Sequence, residues 1–306
     1  MKILIAGGAG CLGSNLIEHW LPLGHEIAVI DNFSTGHKEL VDVDGISLFP
    51  GSVSDFDFLN SKIRDFKPEI IINAAASYKD PHDLLGDVNT NINGSINICK
   101  SAEQNSVERI INFQTALCYG RPQALPIDEK HPVSPFTSYG ISKTAGEFYS
   151  LSSGVNCVSL RLANITGPRL SIGPIPTFYS RLKEKKACFC TESKRDFLDI
   201  DDFLNVMDLI INRNEITGIY NISTGVSHSI REIYNAVCQH FNIDSDGVEV
   251  RPVEPDDVLE VCLDATKAKK ELGWSASVDF SEMIAKQLEW YDDFGVHTLY
   301  SHLKAR

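Results

Sequence analysis

The chain has 306 residues, 43% of them apolar and 23% charged, an ordinary globular composition that excludes a disordered, collagen-like or coiled-coil protein. Against 28 Lys and Arg stand 41 Asp and Glu, so a net charge of -13 turns the molecular field away from nucleic acid and anionic membrane surfaces. A small anion remains bindable where helix N-termini or a few Arg are locally focused.

In chain order, Lys2 to Ala6 reads as a buried parallel strand that runs straight into glycines, too short an apolar run for a signal peptide. Helical spacing of apolar residues follows from Leu12 to Leu21, ended by Pro22 and Gly24. Strand-like runs recur at Glu26 to Ile30, Ile46 to Phe49, Glu69 to Asn73, Arg109 to Phe113 and Asn156 to Leu160, with helix-periodic segments between them. That alternation predicts an α/β fold, a doubly wound parallel sheet of the Rossmann type. Beyond about residue 165 the rhythm is broken by Gly167-Pro168, Gly173-Pro174 and Pro176, and a smaller C-terminal substrate-binding lobe is expected. The predicted division is a dinucleotide-binding domain over 1–165 with a returning segment near 195–225, and a lobe from 166–194 and 226–306. Ile219 to Ile222 reads as a further strand, and Ser229 to Phe241, Lys267 to Leu272 and Ser281 to Trp290 as helices. No apolar run reaches the ~18 residues of a membrane span. Eight cysteines without a CxxC pair read as reduced thiols in a cytoplasmic protein.

Gly8, Gly10 and Gly13, between the first strand and the first helix, fit G-x-G-x-x-G, the turn that brings a pyrophosphate to a helix N-terminus. Asp31 ends the second strand, where a carboxylate accepts hydrogen bonds from an adenosine ribose and repels a 2′-phosphate, favouring NAD over NADP. Tyr139 and Lys143 form Y-x-x-x-K, one helical turn apart on one face, an arrangement in which the ammonium lowers the phenol pKa toward that of a general base. Thr115 follows the strand at Arg109 to Phe113 and so stands at the ligand-binding edge of the sheet. Tyr179 and Lys183 repeat the spacing with no preceding cofactor unit and are expected to be a surface helix pair.

These motifs, with Asn91-Ile92-Asn93-Gly94, Gln114-Thr115-Ala116-Leu117-Cys118-Tyr119-Gly120, Ser138-Tyr139-Gly140-Ile141-Ser142-Lys143, Arg161-Leu162-Ala163-Asn164, Gly167-Pro168-Arg169, Arg195-Asp196-Phe197 and Lys269-Lys270-Glu271-Leu272-Gly273-Trp274, resemble the extended short-chain dehydrogenase/reductases of the nucleotide-sugar epimerase and dehydratase group. Within that group the segments from Gln114 to Gly120 and from Gly173 to Tyr179 are most similar to the WbmG-type epimerases of O-antigen gene clusters.

The resemblance implies Tyr139 as the base at the sugar hydroxyl, Lys143 as its tuner on the nicotinamide ribose, and Thr115 as a hydrogen-bond partner of that hydroxyl. It implies NAD contacts from Gly7, Gly10, Cys11, Leu12 and Gly13, from Asp31, Asn32, Ser34, Thr35 and Gly36, and from Ser52, Val53, Ala74, Ala75 and Asn91. For Asn91 a helix-start cap is an equal alternative. Asn164 matches a contact to the substrate diphosphate and Arg195 one near its phosphate or ribose, with an ion pair of Arg195 to Asp199 or Asp201 as the alternative. Asp257 and Val261 match residues of the substrate site, and the small Val261 leaves room for a 2-acetamido sugar. A homodimer is expected by the same resemblance, and no metal.

Two departures matter. Ala116 and Leu117 follow Thr115 where the group's dehydratases carry an acid, which moves the balance toward epimerisation. Glu254 stands where galactose-type epimerases hold an Arg on the phosphates, leaving Arg169 or Arg251 to approach the diphosphate instead. The expected activity is NAD-dependent epimerisation of a nucleotide-activated sugar, a UDP-hexose at carbon 4, through a transient keto-sugar. A nucleotide-sugar dehydratase or keto-sugar reductase is the enzymatic alternative, and a silent dinucleotide sensor the non-enzymatic one.

Overall fold

The computed structural model describes residues 1–41, 43–78, 80, 82–254 and 257–296. The chain forms two compact units, one from Met1–Gly120, Val133–Leu162 and Val206–Tyr220, the other from Arg121–Pro132, Ala163–Asn205 and the chain from Asn221 onward. Arg121–Pro132 lies inside the span expected to be purely dinucleotide-binding, yet it joins the second unit: Ile127 bridges to Leu263, and Asn221 donates to its carbonyl oxygen at 2.8 Å. The segment that returns to the first unit is 206–220, shorter than expected.

The elements run β1 (Lys2–Ala6), α1 (Cys11–Trp20), β2 (Glu26–Asp31), β3 (Ile46–Pro50), α2 (Phe56–Phe66), β4 (Ile70–Asn73), α3 (Leu84–Asp87), a π-helical turn (Val88–Asn93), α4 (Gly94–Gln104), β5 (Arg109–Thr115), a short 3₁₀ turn (Ala116–Tyr119), α5 (Ser138–Leu151) and β6 (Asn156–Leu162). There follow β7 (Asn164–Thr166), α6 (Pro174–Lys183), β8 (Phe189–Thr191), β9 (Lys194–Asp199), α7 (Ile200–Ile211), β10 (Gly218–Ile222), β11 (Ser227–Ser229), α8 (Ile230–His240), β12 (Glu249–Arg251), β13 (Glu260–Val261), a second π-helical turn (Ala268–Leu272) and α9 (Phe280–Phe294).

The main sheet has the order β10-β6-β5-β4-β1-β2-β3, with the pairs from β3 to β6 all parallel. It is the doubly wound α/β sheet read from the sequence. The strands are near-continuous apolar runs because helices cover them: Leu4, Ala28, Ile30, Ile71 and Ile110 pack with Leu59 and Ile63 of α2 and with Ile98 of α4. Each buried Leu or Ile among them is worth about 1.5–3 kcal/mol. The chain winds outward from β1 to β3, then restarts at β4 on the other side of β1, so β1 and β4 flank the switch point where such sheets bind ligands.

In the second unit β9 is the organising strand, pairing with β7, β11 and β13. Its core gathers Phe178 and Tyr179 of α6, Phe197 of β9, Ile233 and Val237 of α8 and Leu288 and Tyr291 of α9. A capping box between Ser229 and Glu232 opens α8. Tyr179 corrects the expectation of a surface pair: it is buried, its hydroxyl donates to Asp292 at 2.7 Å and accepts from Lys183 at 3.1 Å. The second Y-x-x-x-K is a core residue held by a snorkelling lysine.

Candidate functional site

Four glycines follow β1, and packing explains three of them. A Cβ on Gly7 would meet the backbone nitrogen of Ala75 at 2.6 Å, one on Gly8 the side chain of Val29 at 2.7 Å, and one on Gly13 the Cα of Gly8 at 2.5 Å. Gly7 also holds φ +80°. Gly10 is different: it has an ordinary negative φ, and a Cβ there would meet nothing nearer than 3.5 Å. Its bare face is therefore kept open for something outside the chain. Gly10 caps α1, where no side chain fills the cap and no acid stands in the first turn, so the helix N-terminus at Cys11, Leu12 and Gly13 suits an anion.

Asp31, at the end of β2, accepts from the backbone of Ala9 at 2.9 Å and of Phe33 at 2.8 Å. Burial still pushes its carboxyl above the usual range. It thus braces the glycine loop while standing beside it. Asn32 turns the following loop by accepting from Ser34 at 3.0 Å, and Gly36 lies so close to Ala9 that a Cβ would approach its backbone to 2.7 Å. Thr35 is carried on the same loop. Ala74 continues β4, its N–H donating to Ala6 at 2.9 Å, and Ala75 abuts Gly7. After β3, Ser52 hydrogen-bonds Ser54 at 2.8 Å, whereas the Val53 side chain belongs to the core. The cradle left at the switch point, open over Gly10 and flanked by Asp31, fits a dinucleotide.

Helix α5 starts at Ser138 because Thr137 caps it, accepting from Gly140 at 3.1 Å. Tyr139 is half-buried, edge-on to Tyr78 at 6.2 Å, and Lys143 one turn later is 5% exposed. Burial lowers Lys143 to about 8, with Glu147 opposing that shift. Burial, then Tyr78 and Asp87, push the Tyr139 phenol well above its ordinary value. The expected lowering of that pKa is not produced by the chain's own groups, because desolvating a phenolate outweighs an ammonium that is itself depressed. Thr115 ends β5, and its Oγ accepts from Leu117 at 3.2 Å, which leaves its O–H to donate elsewhere. Behind it Ala116 is buried, and the turn Ala116–Tyr119 carries no carboxylate.

Asn91 is neither a cap nor exposed. It sits buried in the π-helical turn, accepts from the Ser77 backbone at 2.9 Å, and donates to the Ser77 carbonyl and to Ser142 Oγ, each at 3.0 Å. It tethers α5 to the loop carrying Tyr78.

The second unit gathers the other candidates around β9. Arg195 is ion-paired with Asp257, not with Asp199 or Asp201, which both hold Lys286. Asn164 on β7 donates to the Asp196 carbonyl at 3.0 Å, and Val261 is the β13 partner of Arg195 in register, 4% exposed. Arg251 pairs with Glu249, at 2.8 and 2.9 Å, and lies 3.8 Å over the Phe189 ring. Arg121 lines a cavity of about 460 Å³ with Glu254 and Asp257. Sequence reasoning missed Arg121, Tyr78 and the buried Glu147, and read Arg161 only as part of a motif; for Glu147 the signal was its position one turn beyond Lys143.

The parallel sheet, the glycine loop with Asp31 and the Tyr139–Lys143 helix define an extended short-chain dehydrogenase/reductase. The chain belongs to the GDP-mannose 4,6 dehydratase family, whose model matches residues 4–287. It is similar to the Bordetella bronchiseptica enzyme WbmG, solved with NAD and UDP, at 54% identity over 100% of this chain and 99% of that one, with a TM-score of 0.95. WbmH of the same organism, solved with NAD⁺, is 36% identical over 96% of this chain and 99% of that one, TM-score 0.91. The UDP-glucose 4-epimerase of Mycolicibacterium smegmatis is 28% identical, over 95% of this chain and 98% of its own length. No helix among the described residues is long and apolar enough to cross a membrane.

Proposed function

We propose that the protein is an NAD-dependent epimerase of a UDP-linked hexose, acting at carbon 4, with its first unit holding NAD and its second the nucleotide sugar. The carrying observation is the edge of the sheet at Thr115: Thr115 with a free O–H and the Tyr139–Lys143 face of α5 belong to one unit, and Ala116 and Leu117 stand where an elimination needs an acid. The UDP and NAD bound in WbmG, and the 4-epimerase activity named for the mycobacterial relative, support it.

The open face of Gly10 and the α1 N-terminus would receive the NAD pyrophosphate, and Asp31 the adenosine ribose. NAD, when bound, supplies reversible two-electron oxidation of the sugar carbon and a positive charge that favours the tyrosinate. Tyr139 accepts and returns the hydroxyl proton at Oη, Thr115 donates to the same oxygen, and Lys143, protonated below about pH 8, holds the negative charge that forms. Arg195, Asn164 and Asp257 take the diphosphate and ribose, with Arg121 lining the same cavity as Glu254 and Val261 admitting 2-acetamido hexoses.

The protein is a homodimer in this reading. Ile141, Phe148 and Tyr149 on α5, with Leu84, Leu85 and Val88 beside it, leave an exposed apolar face, Leu85 at 75% and Phe148 at 52%. All eight cysteines are free thiols, six of them buried, which supports a cytoplasmic setting.

The test is proton NMR and mass spectrometry of purified protein incubated with a panel of UDP-sugars. An isomer of unchanged mass inverted at carbon 4 is expected. Loss of water would make it a dehydratase, the reading that its family's description favours.

A further inference from the structure

We propose that Glu147 is a positioning residue for Lys143: a buried carboxylate one helical turn beyond it, clamped to the sheet by Arg161, that fixes where Lys143 stands and supplies its counter-charge. The proposal rests on the reading of Tyr139 and Lys143 as the catalytic pair.

Residues 143 and 147 share one face of α5. Glu147 is 0% exposed and Arg161 of β6 1%. The carboxylate is fully engaged: Oε1 accepts from Ser159 Oγ at 2.7 Å and from Arg161 Nε at 3.2 Å, and Oε2 from the Arg161 terminal nitrogen at 2.8 Å. The Arg161 guanidinium also lies 4.8 Å over the Tyr119 ring. A two-pronged grip of this kind fixes the carboxylate in direction as well as in place.

The clamp is one end of a buried circuit. Ser159 accepts from Asn112 of β5 at 3.0 Å, and Asn112 accepts from Asn73 of β4 at 3.1 Å. Asn73 donates to Ser95 at 3.1 Å, Ser95 to the Asn91 carbonyl at 2.8 Å, and Asn91 to Ser142 at 3.0 Å. The circuit leaves α5 at Glu147, crosses three strands and returns to α5 at Ser142, so it brackets Lys143 on both sides. A buried ion pair is on average no more stabilising than well-packed apolar residues of the same volume. What an apolar pair would not provide is a fixed carboxylate one helical turn from an ammonium on the same helix face.

The ionisable groups facing this end of α5 are few. Arg161 and Cys157 come from β6, Cys118 and Tyr119 from the 3₁₀ turn, Cys99 from α4, and, near Tyr139, Asp87 from the end of α3 and Tyr78 from the loop after β4. Burial pushes the thiols of Cys118 and Cys157 up to about 12, so both are neutral. Against the burial that depresses Lys143, Glu147 is the group that raises it.

The experiment reads Lys143 directly, without substrate. Protein carrying ¹³C-labelled lysine side chains is titrated by NMR from about pH 6 to about pH 11, across the ordinary lysine range. The resonance lost in Lys143→Arg is that of Lys143, and its midpoint is expected near 8. In Glu147→Gln that midpoint should fall by about one pH unit, the lower end of what an adjacent opposite charge contributes. If Glu147→Gln does not fold, Glu147→Gln with Arg161→Gln removes both charges and leaves neutral amides. A lowered midpoint is expected there too, whereas a pair that only holds the fold together would leave it at the parent value. An unmoved midpoint in either folded variant overturns the proposal. Turnover of UDP-glucose is scored separately: a shifted midpoint in a protein that epimerises nothing sinks the functional reading alone.

Discussion

Arg195 in β9 and Asp257, 62 residues apart in sequence, form an ion pair in which the Arg195 side chain is only 15% exposed. Burial lowers the Arg195 pKa from its ordinary value and Asp257 opposes that, so the carboxylate keeps the guanidinium charged and aimed. Replacing Arg195 with Met should weaken UDP binding about 10- to 150-fold, the worth of one charge-assisted hydrogen bond, while Arg195→Lys should recover part of it. Titration calorimetry with UDP measures both. Equal affinities for parent and Met variant would remove Arg195 from the diphosphate site.

The glycine loop separates packing from binding. Gly10→Val meets only the Gly7 carbonyl oxygen, 3.5 Å from its Cβ, and should cost no more than about 1 kcal/mol of stability for the poorer helix cap while abolishing measurable NAD binding. Gly13→Ala must instead displace backbone, since its Cβ would lie 2.5 Å from the Gly8 Cα, and should cost about 1–3 kcal/mol of stability. Thermal melts and NAD fluorescence titrations distinguish the two.

Tyr139→Phe should reduce turnover by at least about 100-fold, the worth of a general base, and leave NAD affinity nearly unchanged. Tyr179→Phe tests the other Y-x-x-x-K. It should keep turnover but lose about 1–2 kcal/mol, because the hydroxyl between Asp292 and Lys183 disappears from a packed core.

The exposed face of Leu85, Ile141, Phe148 and Tyr149 predicts an oligomeric readout. Leu85→Glu combined with Phe148→Glu should convert a dimer to a monomer in light scattering, since burying two carboxylates at a self-contact is prohibitive. A parent protein that is already monomeric would refute the assignment of this face.

Asp196 carries a pH signature. Burial pushes its carboxyl from 3.8 up to about 6, although Thr224 and Gly225 donate to it. The fold therefore favours the protonated form between those values. Stability relative to Asp196→Asn should be fullest below about pH 4 and should decline as pH rises through 6, by about 3 kcal/mol in all. Urea unfolding of both proteins at a series of pH values gives the difference.

Short-range pattern carried the sheet and half of the site. β1, the glycines, α1 and Asp31 are legible because each is a local event: an apolar run, a turn only glycine makes, a helical period, an acid at a strand end. The Tyr139–Lys143 pair is legible for the same reason, being one turn of one helix. The strands β7 and β8 were not legible, since runs of three residues have no period to read; β7, Asn164–Thr166, is held by pairing with β9. Tertiary structure alone decided which partner each charge takes. Arg195 has acids four and six residues on, yet pairs with one 62 residues away, and Glu147 lies against Arg161 only because α5 packs on β6. It also decided the Tyr139 pKa, whose direction reversed the sequence expectation because burial, which no local pattern encodes, outweighs a neighbouring lysine. Local propensity depends on residues a few positions apart, whereas desolvation and ion pairing depend on what the folded chain brings within a few ångströms.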